Sequence, residues 1–87
     1  MSNHPDALEY VKALLRAEKA RSGLTWSAIS AQLDRLGVKQ SASNLSTKAS
    51  RGNMSAPLFL AILKITGADE LNLRRLELHK AAPRKRR

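Results

Sequence analysis

Apolar side chains recur along most of the chain at the three-to-four spacing of amphipathic helices, and glycines mark the stops between them. Leu8, Val11, Leu14 and Leu15 form one stripe of a helix predicted over residues 6–22, with Lys12, Arg16 and Lys19 on its other side. Pro5 and Asp6 suit its start, since proline has no amide to strand and an acid complements the positive end of the helix dipole. Gly23 suits its end. Thr25 predicts the N-cap of a second helix, with Leu24 as an apolar staple. Trp26, Ile29, Leu33 and Leu36 then follow at i, i+3, i+7 and i+10, and Gly37 closes the run. Ser55 and Pro57 open a later helix whose Leu58, Phe59, Ile62, Leu63 and Ile65 give the broadest apolar face. That helix, ended by Gly67, is expected to hold the centre of the core, with Trp26, Tyr10 and Phe59 packed there too.

Between these lies a helix of a different kind. It is predicted over about residues 43–50, with Ser41 or Ser43 as its cap and Gly52 as its stop. Its apolar content is Leu45 and Ala49, one turn apart, while Asn44, Ser46, Thr47, Lys48 and Arg51 are polar. Two anchors cannot bury a helix on both sides, so most of its circumference must meet water or a ligand. Beyond Gly67, Leu73 and Leu76 suit a short fifth helix, whereas Leu71/Leu73 and Leu76/Leu78 alternate as in a strand; the helix is the preferred reading. The expected architecture is all-α, a compact four- to five-helix bundle. Its single domain spans 6–78, and a basic tail, residues 79–87, is expected to be disordered.

Charge changes the picture more by its placement than by its size. The net charge is +9 over 87 residues. Residues 1–34 balance Lys12, Arg16, Lys19 and Arg21 against Asp6, Glu9, Glu18 and Asp34. From Arg35 to Ala68 there is no acid, but Arg35, Lys39, Lys48, Arg51 and Lys64 are present. The tail adds Lys80, Arg84, Lys85, Arg86 and Arg87. A field of one sign over half a small domain draws polyanions, of which phosphate backbones are the commonest.

The second and third predicted helices together have the design of a helix-turn-helix. A capped amphipathic helix braces a thinly anchored polar one, whose exposed side is free to enter the major groove. The order Leu24-Thr25, Ile29, Ala31, Leu33, Gly37-Val38, Leu45, Ala49, Arg51-Gly52 and an apolar helix ending at Ile65 and Gly67 resembles the lambda-repressor-like (Cro and Xre) helix-turn-helix domains. Asn44-Leu45, Lys48-Ala49-Ser50-Arg51-Gly52, Ser55-Ala56 and Phe59-Leu60 look more closely like a family of short bacterial helix-turn-helix proteins with no assigned function. The resemblance covers about residues 7–67. It departs from the usual pattern in a longer link between the two helices. Trp26 also stands where that pattern has a phosphate-binding Gln, with Ser27 beside it as a substitute.

The expected function is therefore that of a small bacterial transcriptional regulator that binds double-stranded DNA as a homodimer. The fourth helix and the leucines after Gly67 are the expected subunit interface. Gln40, Ser43, Asn44, Thr47 and Lys48 are the candidates for base edges, because amides, hydroxyls and ammonium groups hydrogen-bond there. Ser27, Lys39, Ser41, Arg51, Asn53, Arg84, Lys85, Arg86 and Arg87 are the candidates for phosphates. Other readings are a protein-interaction module, such as an antitoxin or adaptor on the same scaffold, and an RNA-binding protein. Three aromatic residues in all give no stacking platform for single strands. Without cysteine, and with His4 and His79 at opposite ends of the chain, no metal or cofactor site is expected. No paired His and Asp stands near a Ser, so no enzyme activity and no small-molecule substrate are expected. The absence of a signal peptide and of an ~18-residue apolar run predicts a cytoplasmic, nucleoid-associated protein with no membrane segment.

Overall fold

Pro5 opens the first helix, α1 (Pro5–Ser22), where a missing amide costs nothing. His4 caps it, its ring Nδ1 accepting the Asp6 amide at 3.1 Å. A computed structural model describes residues 4–79. Over those residues the chain is all-helical: α1, α2 (Trp26–Arg35), α3 (Ala42–Arg51) and α4 (Ala56–Thr66), then a 3₁₀ turn at Leu73–Arg75, with no strand. Thr25, Ser41 and Ser55 cap α2, α3 and α4, each hydroxyl accepting the amide three residues on. Such caps are worth about 1 kcal/mol each. Ser41 rather than Ser43 therefore begins α3. No described helix is long and apolar enough to cross a membrane.

The closest helix approaches are α2 on α3, α1 on α3, α2 on α4 and α1 on α4, which closes a ring. Inside it meet Leu15 of α1, Ile29 and Leu33 of α2, Leu45 of α3, and Leu58 and Ile62 of α4. As expected, α4 is the most deeply set helix, with Leu58, Ile62, Leu63 and Thr66 buried. Arg21, at the end of α1, donates to the Thr66 carbonyl at 2.7 Å, which puts a cation at the negative end of α4. Trp26 and Phe59 pack half-buried against the core.

Three sequence expectations need correction. Leu36 does not continue the α2 stripe; it is 66% exposed. The helix ends at Arg35, the Val38 amide returns to the Leu33 carbonyl at 2.9 Å, and Val38 packs on the core where Leu36 was expected. Tyr10 is half-buried and outside the core, and its hydroxyl donates to the Asn72 carbonyl at 2.6 Å. The expected fifth helix is only the 3₁₀ turn, begun by the Asn72 side chain accepting the Arg74 amide. Leu73 and Leu78 are exposed, so no buried stripe rewards a longer helix there.

Leu71 and Leu76 of this last segment are half-buried, and hydrogen bonds fasten its end. The His79 amide donates to Asp6 Oδ2 at 2.8 Å, and ring Nδ1 lies 2.9 Å from the same oxygen. His4 Nε2 lies 2.6 Å from the His79 carbonyl. Since His4 Nδ1 already accepts the Asp6 amide, Nε2 carries the proton and donates it to that carbonyl. His4, Asp6, Tyr10, Asn72 and His79 thus strap residues 72–79 along the start of α1. The two histidines, 75 positions apart in the chain, are brought together by the fold. Among the described residues no group of three or more metal-ligating side chains is assembled.

Gly52 sets the position of α3. Its φ of +68° ends the helix in the left-handed region, and a Cβ there would lie 2.6 Å from the Leu8 carbonyl oxygen and 2.9 Å from Lys12 Cγ. Gly37 has a similar φ of +85° but open space around it. Gly37→Ala should therefore cost about 1 kcal/mol, the conformational penalty alone. Gly52→Ala should cost at least twice as much, about 2 kcal/mol or more, because it also forces α3 off α1. Urea unfolding of the two variants measures the difference.

The strap predicts a pH dependence. The His79 amide at Oδ2, helped by the His79 ring, holds the Asp6 carboxyl below its ordinary value. A depressed folded-state pKa adds stability above the unfolded pKa of about 4 and loses it as pH falls through the folded value. Thermal melts should show Asp6→Asn less stable than the parent at pH 6–7, with the two curves converging below about pH 3.

Candidate nucleic-acid interface

Local sequence makes α3 shallow. Leu45, 0% exposed, is its one buried side chain, and Ala49 packs half-buried beside it. Ser43, Asn44, Ser46, Thr47, Ser50 and Arg51 are all exposed, and Lys48 is half-buried. The outward crest of α3 is therefore a row of hydroxyls, an amide and a guanidinium. Ser41 is exposed, but its hydroxyl is committed to the Asn44 amide as the helix cap.

Three neighbouring surfaces border the crest. On the α2 side, Ser27, Ser30, Asp34, Lys39, Gln40, Ser41 and Asn44 line one open depression. The Gln40 carbonyl accepts the Ser30 hydroxyl, which ties the α2–α3 link to α2. The Gln40 Oε1 accepts from Asn44 Nδ2 at 3.3 Å, so these two candidate side chains act as a pair. On the α4 side, Gln40, Lys48 and Asn53 share a recess with Val38, Met54 and Pro57. On the α1 side, Lys12, Arg16, Lys19 and Trp26 line a groove with Ser46, Ala49 and Ser50.

The fold brings Ser27, Lys39, Gln40, Ser41 and Asn44 together, and separately Gln40, Lys48 and Asn53. Ser43, Thr47 and Arg51 stand on the open crest. Arg84, Lys85, Arg86 and Arg87, with the rest of the basic tail after His79, lie outside the described residues.

Two features escaped the linear reading of charge. Asp34, just outside the acid-free block, faces the site: Lys39 Nζ lies 2.6 Å from its Oδ1. Both side chains are largely solvated, 82% and 56% exposed, so the pair is worth at most about 1 kcal/mol and exchanges readily for another anion. The other feature is α1, which reads as charge-balanced but is not balanced in space. Glu9 pairs with Lys12, Glu18 pairs with Arg21, and Asp6 is taken by the strap. Arg16 and Lys19 have no acid partner among the described residues. Lys19 Nζ instead sits 5.7 Å from the centroid of the Trp26 ring, a cation–π contact. The i, i+4, i+7 spacing of Lys12, Arg16 and Lys19 was the available signal. It could not tell that this face borders α3.

Residues 8–71 match the family described as Domain of unknown function (DUF6471), and the chain belongs to that family. No curated protein and no solved structure matches the chain.

Proposed function

We propose that this member of the DUF6471 family binds double-stranded DNA, with α2 and α3 acting as a helix-turn-helix and α3 lying in the major groove. The observation that carries this reading is the α3 crest, an exposed polar ridge on one buried leucine, bordered by Lys12, Arg16 and Lys19 on one side and Lys39 and Lys48 on the other. Carboxylates on such a ridge would be repelled by phosphates, and α3 carries none.

In this reading Gln40, Ser43, Asn44, Thr47 and Lys48 address base edges, the Gln40–Asn44 pair presenting a preordered amide edge suited to adenine. Ser27, Lys39, Ser41, Arg51 and Asn53 hold phosphates around the groove, and the basic residues after His79 track the backbone beyond it. Arg16 and Lys19 extend that grip to the α1 side, next to the place where Trp26 replaces a polar phosphate ligand. Leu60 on α4 and Leu73 and Leu78 after Gly67, each more than half exposed, are the apolar side chains available to a homodimer that would match two DNA half-sites. Such a protein acts as a cytoplasmic, nucleoid-associated regulator of transcription.

The test is a titration of duplex DNA at two salt concentrations. Neutralising about four phosphates makes affinity fall about 150-fold between 50 and 200 mM salt. A fall of less than about threefold refutes the proposal. The folded double variant Lys48→Glu, Arg51→Glu should abolish binding; if it keeps full biological activity, the scaffold serves a protein partner instead.

Asp34 supplies a prediction of the opposite sign. Asp34→Asn removes the acid that competes with phosphate for Lys39, so duplex affinity should rise about two- to fivefold at low salt, by up to about 1 kcal/mol. Fluorescence anisotropy with a labelled duplex resolves that change, and an unchanged or weaker affinity places Lys39 off the DNA.

A further inference from the structure

One face of α4 shares no residue with the three surfaces that border α3. There Leu60, Leu63 and Lys64 of α4, with Asp69, Glu70 and Leu71 of the segment after Gly67, line a hollow of about 160 Å³. Leu63 is buried and Leu71 half-buried, whereas Leu60 is 55% exposed. An apolar knob thus stands beside an apolar hollow. A core cavity of roughly 150 Å³ accepts a molecule the size of benzene, so this hollow has room for a leucine side chain.

The charges around the hollow are of both signs and are not satisfied within the chain. Lys64, Asp69 and Glu70 are exposed, and none of them forms an ion pair with another described residue. Arg21 feels the charge of Asp69 but spends its guanidinium on Glu18 and the Thr66 carbonyl. A two-fold contact sets the same patch against itself, so it needs a patch that complements itself. The cation-rich surroundings of α3 would repel their own copy. A knob beside a hollow and a lysine beside two acids meet the requirement.

We infer that a second copy of this chain docks on this face about a two-fold axis, each Leu60 entering the other copy's hollow and each Lys64 meeting Asp69 and Glu70 of the other copy. This pairing deepens the homodimer part of the proposed function, on whose reading it rests, and gives Leu73 and Leu78 no share in the contact. It uses none of the candidate DNA contacts. The patch is small, so association is at the weak, concentration-dependent end of specific interfaces.

The test is sedimentation equilibrium of the full chain without DNA, up to about 1 mM protein. One variant carries Lys64→Glu, and a second carries Asp69→Lys with Glu70→Lys. Each alone puts like charges across the axis and should weaken self-association at least about tenfold. For Lys64→Glu that loss runs against the bulk effect, because the substitution lowers the net charge of +9 by two units. Mixed together, the two variants should pair as the parent does, and one chain with all three substitutions should again pair with itself. Leu60→Asp should abolish association, while Leu73→Asp and Leu78→Asp should leave it unchanged. Circular dichroism checks that each variant keeps its helices, and the mixture tests the pairing even where one variant is less stable. A parent that stays monomeric, a mixture that does not associate, or a loss at Leu78→Asp without one at Leu60→Asp overturns the inference. A dimer that ignores duplex DNA upholds the pairing and removes only the DNA reading.

Discussion

Leu45 and Gly52 carry α3 between them. The leucine is the helix's one fully buried side chain, and the glycine lets its end approach the α1 backbone at a distance no other residue tolerates. The same two contacts hold α3 in place and leave its other side bare. A helix with more apolar anchors would be safer energetically but would have less polar surface to offer. Ser41, spending its hydroxyl on the Asn44 amide, supplies locally part of the stability that burial does not. The remaining helices can be read as the frame for this arrangement: α2 and α1 each touch α3, and α4 sits beneath both.

Polar contacts do an unusual share of the long-range work in this chain. Arg21 reaches across to the Thr66 carbonyl at the end of α4, and the strap ties residues more than seventy positions apart through Asp6 and His4. A chain this short buries too little apolar surface to fasten every segment by packing. Hydrogen bonds at the surface are individually weak, so the strap opens far more easily than the helical ring.

Electrostatics shows the gap between counting charges and placing them. The acid-free run from Arg35 to Ala68 does surround α3, as a linear reading suggests. Yet its nearest acid, Asp34, is folded into the site against Lys39, and three of the five bordering cations come from a helix that looks neutral in sequence. Local ion pairs at i, i+3 consume Glu9 and Glu18 on α1, which leaves Arg16 and Lys19 facing the groove beside α3.

Local chemistry, written in neighbouring residues, determined the four helices, the caps at Thr25 and Ser55, the glycine stops and the sparse anchoring of α3, because caps, stops and periodicity act within one or two turns. The tertiary structure alone decided the features that depend on distant partners. It turned Leu36 to solvent because Val38 fits the core in its place. It reduced the fifth helix to a single 3₁₀ turn because its leucines found nothing to pack on. It drew Tyr10 and both histidines into the strap, and it set α1 and Asp34 around α3. No pattern along the chain encodes those contacts, since each pairs residues whose proximity exists only once the ring of helices has closed.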